Sequence, residues 1–145
     1  MERVSILWKG PYLVTSAIEQ LRDDEDFGIY TITRKWGNTE TLLYIGLVYW
    51  RCFADRIADH EREWLGDLRG SSGIRVRIGR IRLGSGKIHS IKRASDIECL
   101  LIYVHQPLEN VLCKSSYNGR ELKIINLGRK GLLKRQIYSE DYRLF

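Results

Sequence analysis

The chain is poor in the features that mark several classes of protein. It has two prolines and three cysteines in 145 residues, and its longest apolar run, Cys99 to Val104, has only six. A membrane-spanning helix needs about 20 such residues, so no span is predicted. The cysteines, which are Cys52, Cys99 and Cys113, are odd in number and far apart, so we predict neither a disulfide framework nor a zinc site. The start Met1-Glu2-Arg3 has no signal-peptide pattern. We therefore expect a cytoplasmic protein.

The remaining composition is that of an ordinary globular domain. With 43% hydrophobic and 29% charged residues, the chain resembles neither a disordered nor a fibrous protein. A chain of this length buries about 70% of its unfolded surface, which is enough for a core without metal or disulfide support. The sequence predicts one domain over residues 1–145.

Charge is distributed unevenly along the chain. The net charge is +6, five acids lie within residues 19–26, and residues 68–95 contain no acid at all. That second segment holds eight basic residues: Arg69, Arg75, Arg77, Arg80, Arg82, Lys87, Lys92 and Arg93. Such a block fits a phosphate-binding surface, and it equally fits a basic sheet face exposed to water.

Two neighbouring segments predict a β-hairpin. Residues 27–33 and 41–46 are rich in β-branched and aromatic side chains, which favour strands. The polar segment between them contains Gly37-Asn38, a turn signal. The first strand carries the tripeptide Gly28-Ile29-Tyr30 and the second carries Tyr44-Ile45-Gly46. The hairpin would hold the two tyrosines close together, each beside a glycine.

Three further segments have the pattern of helices. A short helix is predicted over residues 15–22. A second helix over residues 52–65 carries one apolar stripe, formed by Phe53, Ile57, His60 and Trp64. A third is predicted to begin at Ser95 and to end before Pro107, because the residue before a proline disfavours the α conformation.

The other predicted strands complete an α+β order. A short strand is expected near residues 4–8. Residues 74–83 alternate apolar side chains with arginines, and the alternation changes phase at Gly79, which indicates a β-bulge. The turn signal Asn118-Gly119 predicts a hairpin in a β-rich tail, with strands near residues 111–117, 121–126 and 132–138.

The two tripeptides and the residues after them resemble the GIY-YIG nuclease family. In that family a helix with an arginine, often followed one turn later by a histidine, comes after the second tripeptide. A third strand, a helix that begins near a glutamate, and a proline with an asparagine three residues on then follow. The matching positions here are Arg56, His60, Glu98, Pro107 and Asn110. The resemblance spans residues 28–110.

This resemblance implies a fold and a chemistry. It implies a small, mostly antiparallel three-stranded sheet flanked by helices, with a core near residues 27–112. Residues 1–26 would be an N-terminal extension and residues 113–145 a β-rich tail, which either completes the sheet or contacts nucleic acid. The activity implied is hydrolysis of phosphodiester bonds in duplex DNA, with one divalent cation, Mg²⁺ or Mn²⁺. One active site cuts one strand, so double-strand cleavage would require two protomers or two encounters.

The resemblance also implies a role for each site residue. Tyr30 would activate the attacking water, with support from Tyr44 and His60. Arg56 would clamp the phosphate oxygens, because a guanidinium binds two of them at once. Glu98 would hold the cation, and Asn110 would support the site. The arginines of the third strand would contact backbone phosphates; these are Arg75, Arg77, Arg80 and Arg82.

The sequence departs from the family pattern at two points. Leu47 follows the second tripeptide, where many members have a lysine or a small polar residue. The distance from Gly46 to Arg56 is also about two residues longer than usual, so Arg51 could share the role of Arg56. Only Arg56 has a histidine, His60, one turn later.

Structural readings compete with these roles. Both tyrosines could be ordinary strand aromatics, His60 a buried core histidine, and Arg56 a solvated helix residue. Glu98 could form a capping box with Ser95. His105 could join Glu98 in a metal site, or it could be a surface or packing histidine. For the whole chain, the alternatives are a catalytically silent nucleic-acid-binding module and a protein-interaction domain.

Overall fold

A computed structural model describes residues 1–22, 25–65 and 73–142. Within them the chain forms six strands and three α-helices, followed by a short 3₁₀ turn at Ser139–Tyr142. The strands are β1 (Glu2–Tyr12), β2 (Glu25–Trp36), β3 (Thr39–Cys52), β4 (Ile74–Leu83), β5 (Leu122–Gly128) and β6 (Gln136–Tyr138). The helices are α1 (Val14–Gln20), α2 (Phe53–Glu63) and α3 (Ile91–His105).

The strands form one mixed sheet in the order β3-β2-β4-β1-β5-β6. Strand β1 lies inside the sheet, antiparallel to β4 and parallel to β5. The prediction of a three-stranded, mostly antiparallel sheet is therefore wrong. The segment expected as a short strand near residues 4–8 is eleven residues long, and its buried Val4, Ile6 and Trp8 join the hairpin half of the protein to the tail.

Helices cover both faces of this sheet. One face packs against α3, in a core that contains Ile29, Ile45 and Ile81. The other face packs against α1 and α2, in a core that contains Tyr30 and Ile57. We call these two layers the α3 core and the α2 core. Residues that alternate along a strand therefore enter different cores.

Strand β4 has no bulge at Gly79. Its register with β2 runs without a break from Arg80 opposite Gly28 to Ile74 opposite Arg34. The apolar pattern changes phase because Ile74, Val76 and Ile78 enter the α2 core, whereas Ile81 enters the α3 core. The prediction of a bulge was wrong because it assumed that only one face of the strand is buried.

The predicted hairpin is confirmed. Strands β2 and β3 pair antiparallel and are joined by the two-residue turn Gly37-Asn38, with Gly37 in the left-handed region at φ 56°. A register irregularity does occur within β3. Ile32 lies opposite Tyr44 while Thr33 lies opposite Leu42, so Leu43 is an extra residue. Such a bulge turns the residue beside it, and Tyr44 thereby packs on the α2 core.

All three predicted helices lie in the expected parts of the chain, but one of them begins well before its predicted start. Helix α2 begins at Phe53, and α3 ends at His105, before Pro107 as expected. Helix α3 begins at Ile91, however, and its N-cap is Ser90, whose hydroxyl accepts a hydrogen bond from the Arg93 amide. The predicted start at Ser95 is therefore wrong.

The tail differs most from expectation. Residues 111–117 are not a strand, so the predicted hairpin at Asn118-Gly119 is wrong. Strand β5 pairs instead with β1 and β6, and of the predicted strand 132–138 only residues 136–138 pair. Cys99 and Cys113 form a disulfide, against the prediction of none. The cysteine content therefore no longer argues for a reducing compartment.

Some predictions concern residues outside the ranges that the structure describes. Gly66, Arg69 and residues 70–72 lie outside the described residues, as do Asp23 and Asp24 of the acidic segment. In the described part of the chain, none of the helices has the length and apolar character needed to cross a membrane.

Candidate active site at the β3 edge of the sheet

The glycines of the two tripeptides make room for particular rings. A Cβ atom on Gly46 would lie 2.2 Å from the Tyr30 hydroxyl oxygen, and one on Gly28 would lie 2.2 Å from the Phe53 ring. Gly28 therefore lets α2 approach β2. Gly46, which pairs with Tyr30 across the ladder, lets the phenol lie over β3, the edge strand of the sheet.

Helix α2 places His60 on the Tyr30 hydroxyl. The Tyr30 oxygen lies 2.5 Å from His60 Nε2, and Trp64 Nε1 lies 2.7 Å from His60 Nδ1. Tyr30 is 0% exposed and His60 is 2% exposed. Burial, with a smaller effect of Arg56, lowers the pKa of His60 to about 4, so the ring is neutral at pH 7.

Tyr44 closes an aromatic group around this pair. Its ring centroid lies 4.7 Å from that of His60, 6.0 Å from that of Trp64 and 6.1 Å from that of Tyr30, on which it stacks. Both tyrosines of the tripeptides thus contact the same histidine. Burial is the main cause that raises the pKa of Tyr30 above its ordinary value.

Arg56 joins this aromatic group to an exposed charge cluster. Its positive charge lowers the pKa of Tyr30, against the larger effect of burial, and its side chain is 27% exposed. Arg56 also lies 3.7 Å from Asp59, which accepts hydrogen bonds from Arg51 at 2.8 Å and Arg62 at 2.5 Å. The hydrogen bond from Arg51 is the main cause that lowers the pKa of Asp59. Arg51 is therefore linked to Arg56 through a shared carboxylate.

Glu98 reaches the same edge from the opposite face of the sheet. It lies well inside α3, so the capping box with Ser95 is wrong. Burial raises the pKa of its carboxyl group to about 7, although Arg56 and a hydrogen bond from the Leu47 amide act in the other direction. Its charge also acts on Tyr30. The carboxyl group has too little positive charge around it to ionise fully at neutral pH.

Asn110 fixes the position of the edge strand. Its side-chain amide accepts a hydrogen bond from Ile45 N and donates one to Ile45 O, both at 2.9 Å. The preceding amides of Leu108 and Glu109 donate to Leu42 O and Leu43 O. The amide of Asn110 thus pairs with β3 as a peptide group would, between Tyr44 and Gly46. Its contacts are those of a support for the strand.

His105 does not approach Glu98 as a metal ligand. Its Nδ1 lies 2.8 Å from Leu101 O, and its Nε2 accepts a hydrogen bond from the Lys134 amide at 3.0 Å. Both ring nitrogens are therefore occupied, which leaves the packing role. Among the described residues no group of three or more acidic, histidine or cysteine side chains is arranged to hold a metal.

The four arginines of β4 do not share one surface. Arg75 and Arg77 alternate with residues of the α2 core and so lie on the α3 side, whereas Arg80 and Arg82 lie on the α2 side. Arg77 is only 8% exposed, ion-pairs with Glu40 at 3.3 Å and donates to Thr33 at 3.2 Å. Arg82 is exposed. One duplex could not contact both pairs in the same way.

Sequence reasoning missed two contributors. Trp64 had been assigned to the apolar stripe of α2, although its position one turn after His60 was the signal for a contact. Asp59, which gathers the arginines, lies next to His60 and gave no signal of its own. The roles of both residues depend on contacts that only the folded structure shows.

Comparisons with protein-family models, with curated proteins and with solved structures give no significant match. The function must therefore be argued from the site itself.

Proposed function

We propose that this chain is an endonuclease that hydrolyses DNA phosphodiester bonds by the GIY-YIG mechanism, with one Mg²⁺ or Mn²⁺ ion. The observation that carries the proposal is the convergence of Tyr30, Tyr44, Arg56, His60 and Glu98 at one sheet edge, from two strands and two helices on opposite faces. A structural role for any one of these residues would not require the others to be there.

Arg56 and Glu98 are the groups that a phosphate would meet first. The guanidinium of Arg56 is partly exposed and can bind two phosphate oxygens while it still contacts Tyr30. Three guanidinium groups surround the single carboxylate of Asp59, which favours an anion nearby. These contacts support substrate binding at the outer end of the site.

Glu98 fits a hard cation. Mg²⁺ keeps several water ligands and is often held by one or two carboxylates, so a single glutamate is a sufficient protein ligand. The raised pKa of Glu98 reflects a partly buried carboxyl group without a full counter-charge, which a cation would supply. A bound divalent cation polarises a phosphoryl oxygen and neutralises the leaving alkoxide. Glu98 would be the residue that holds this cation.

Tyr30 would take the proton of the attacking water, with His60 in a supporting role. Tyr30 is buried and hydrogen-bonded to His60, which fixes the position of its oxygen. An acid–base group held in this way needs no reorganisation in the transition state. Tyr44 packs against both rings and Asn110 holds the strand, so neither needs to touch the substrate.

The proposal includes a setting for this reaction. The substrate is duplex DNA in the cytoplasm. Because one site cuts one strand, double-strand cleavage would require two encounters or a homodimer. Arg82 is the exposed β4 arginine best able to contact the DNA backbone, and Arg77 the least able.

One observation favours a catalytically silent DNA-binding module instead. Tyr30, the proposed water-activating group, has no exposed surface, and its oxygen already has a partner in His60. A decayed site would keep Arg56 and the arginine cluster as a phosphate contact. The interaction-domain alternative would bind no DNA even at low salt.

A nicking assay tests the proposal. We expect supercoiled plasmid to be nicked with Mg²⁺ or Mn²⁺ but not with EDTA. Glu98→Gln should reduce the rate about 100-fold or more while duplex binding changes little, because the cation acts on charge that develops in the transition state. The control is Glu109→Gln, which alters an exposed glutamate beside β3.

Each outcome has a clear reading. Full nicking by Glu98→Gln would exclude the metal role of Glu98. Binding without nicking under either cation would identify the silent module, and absence of both would point to the interaction domain.

A further inference from the structure

Trp64 makes a contact with His60 that has only one possible polarity. The indole Nε1–H lies 2.7 Å from His60 Nδ1, and an indole nitrogen is a donor that cannot accept. His60 Nδ1 must therefore be the acceptor and carry no proton. A second hydrogen bond joins the two residues, because the Trp64 backbone amide donates to His60 O at 2.9 Å.

The second ring nitrogen then has a defined role. A neutral imidazole with a bare Nδ1 carries its proton on Nε2, which lies 2.5 Å from the Tyr30 oxygen. His60 is therefore a donor to Tyr30. Protonation of His60 would place a new N–H against the indole N–H, so the imidazolium form is disfavoured by geometry as well as by burial.

The Tyr30 oxygen consequently receives the His60 Nε2–H, so the Tyr30 hydroxyl proton must point away from His60. The positive charge of Arg56 also acts on Tyr30, as do the titratable groups Tyr44 and Glu98.

We propose that Trp64 is a positioning residue that fixes His60 as the Nε2–H tautomer, so that His60 donates to Tyr30 and does not accept its proton. This assignment decides between the two roles open to His60, hydrogen bonding and proton transfer, in favour of hydrogen bonding. It rests on the proposed function only for its catalytic consequence, which is that proton transfer at the site falls to Tyr30.

The ring tautomer is a direct test that requires no DNA. Two-bond ¹H–¹⁵N NMR on the ¹⁵N-labelled protein should show His60 with a bare Nδ1 and a protonated Nε2 from pH 5 to 8. A protonated Nδ1 at neutral pH would overturn the proposal. This measurement uses the unaltered chain and so does not depend on whether a variant folds.

A variant tests whether Trp64 is the cause. Trp64→Phe removes the N–H but keeps an aromatic ring, so we expect a mixture of tautomers and a rise in the His60 pKa. The control Trp36→Phe alters a tryptophan that is 64% exposed and should leave both unchanged. An unchanged tautomer and pKa in folded Trp64→Phe would overturn the assignment.

The catalytic consequence has its own measurement. In a protein that nicks DNA, Trp64→Phe should lower kcat with little change in KM, because Trp64 does not touch the phosphate. Failure of the NMR prediction removes the role of Trp64 alone, whereas failure of the wild type to nick removes the proposed function and leaves the tautomer assignment intact.

Discussion

Two acidic side chains, two positions apart on α3, lie in opposite electrostatic surroundings. Asp96 is 5% exposed and is paired with Lys92 at 2.8 Å and Arg120 at 2.9 Å. Burial alone would raise its pKa, but the hydrogen bonds from both partners outweigh burial, and the pKa is lowered. For Glu98, burial outweighs the effect of Arg56, and the pKa rises to about 7.

The difference indicates what each residue does. Asp96 belongs to a network that also includes Glu2 and Arg93, and it ties α3 to the loop before β5. Its charge is neutralised by Lys92 and Arg120 within the protein. The charge of Glu98 has no full counter-charge, and a partly buried carboxylate in that condition is costly unless a ligand neutralises it. The contrast therefore separates a structural carboxylate from a candidate ligand on one helix.

The largest expected effect is a difference of sign in stability. At pH 8 Glu98→Gln should raise the free energy of unfolding by up to about 3 kcal/mol, because it removes a charge whose pKa is shifted by burial. Asp96→Asn should lower it by about 2 kcal/mol, because it leaves Arg120 with a weaker partner. Urea denaturation of the two variants measures this. Equal destabilisation by both would show that Glu98 is a structural residue like Asp96.

The pH dependence of stability should sharpen the contrast. The folded pKa of His60 is depressed from 6.5 to about 4, so its contribution to stability is lost as the pH falls through this interval. Glu98 has a raised folded pKa, about 7 against 4.5, so its protonation adds stability over nearly the same interval. The two effects are each about 3 kcal/mol and opposite in sign.

We therefore expect wild-type stability to change little between pH 6.5 and 4.5 on account of these two groups. Glu98→Gln should lose stability steeply on acidification, because the effect of His60 is then uncompensated. Urea midpoints at several pH values check this, with Glu109→Gln as the exposed control. A flat profile in Glu98→Gln would mean that the histidine is not held neutral.

Local patterns in the sequence predicted the local elements. The turn at Gly37-Asn38, the hairpin and helix α2 depend on contacts between near neighbours in the chain. The pairing of β1 with β5 joins Glu2 to Leu122, and no periodicity in either segment specifies a partner that distant. The phase change at Gly79 was misread as a bulge because the sequence does not show that helices cover both faces of the sheet.

The site was predictable in its residue types and not in its electrostatics. The order of Tyr30, Tyr44, Arg56, His60 and Glu98 could be read from the chain, and the structure brings these side chains together. Whether Glu98 would be capped, paired or left short of counter-charge depended on where α3 begins and on what covers it. A start at Ile91, set by Ser90, moved Glu98 from the first turn to the helix interior.

The smallest expected effect concerns the strand that separates Glu98 from Tyr30. Asn110→Ala removes both hydrogen bonds to the Ile45 backbone and should cost about 1–2 kcal/mol of unfolding free energy. Because Leu47 on the same strand donates to Glu98, a looser strand should also raise the Glu98 pKa further, as followed by ¹³C NMR of the carboxyl group. Asn118→Ala, at an exposed asparagine that contacts only Ser116 among the hydrogen bonds described, is the matched control. A stability loss without any change at Glu98 would show that the edge strand and the carboxylate are independent, and that Asn110 supports the fold alone.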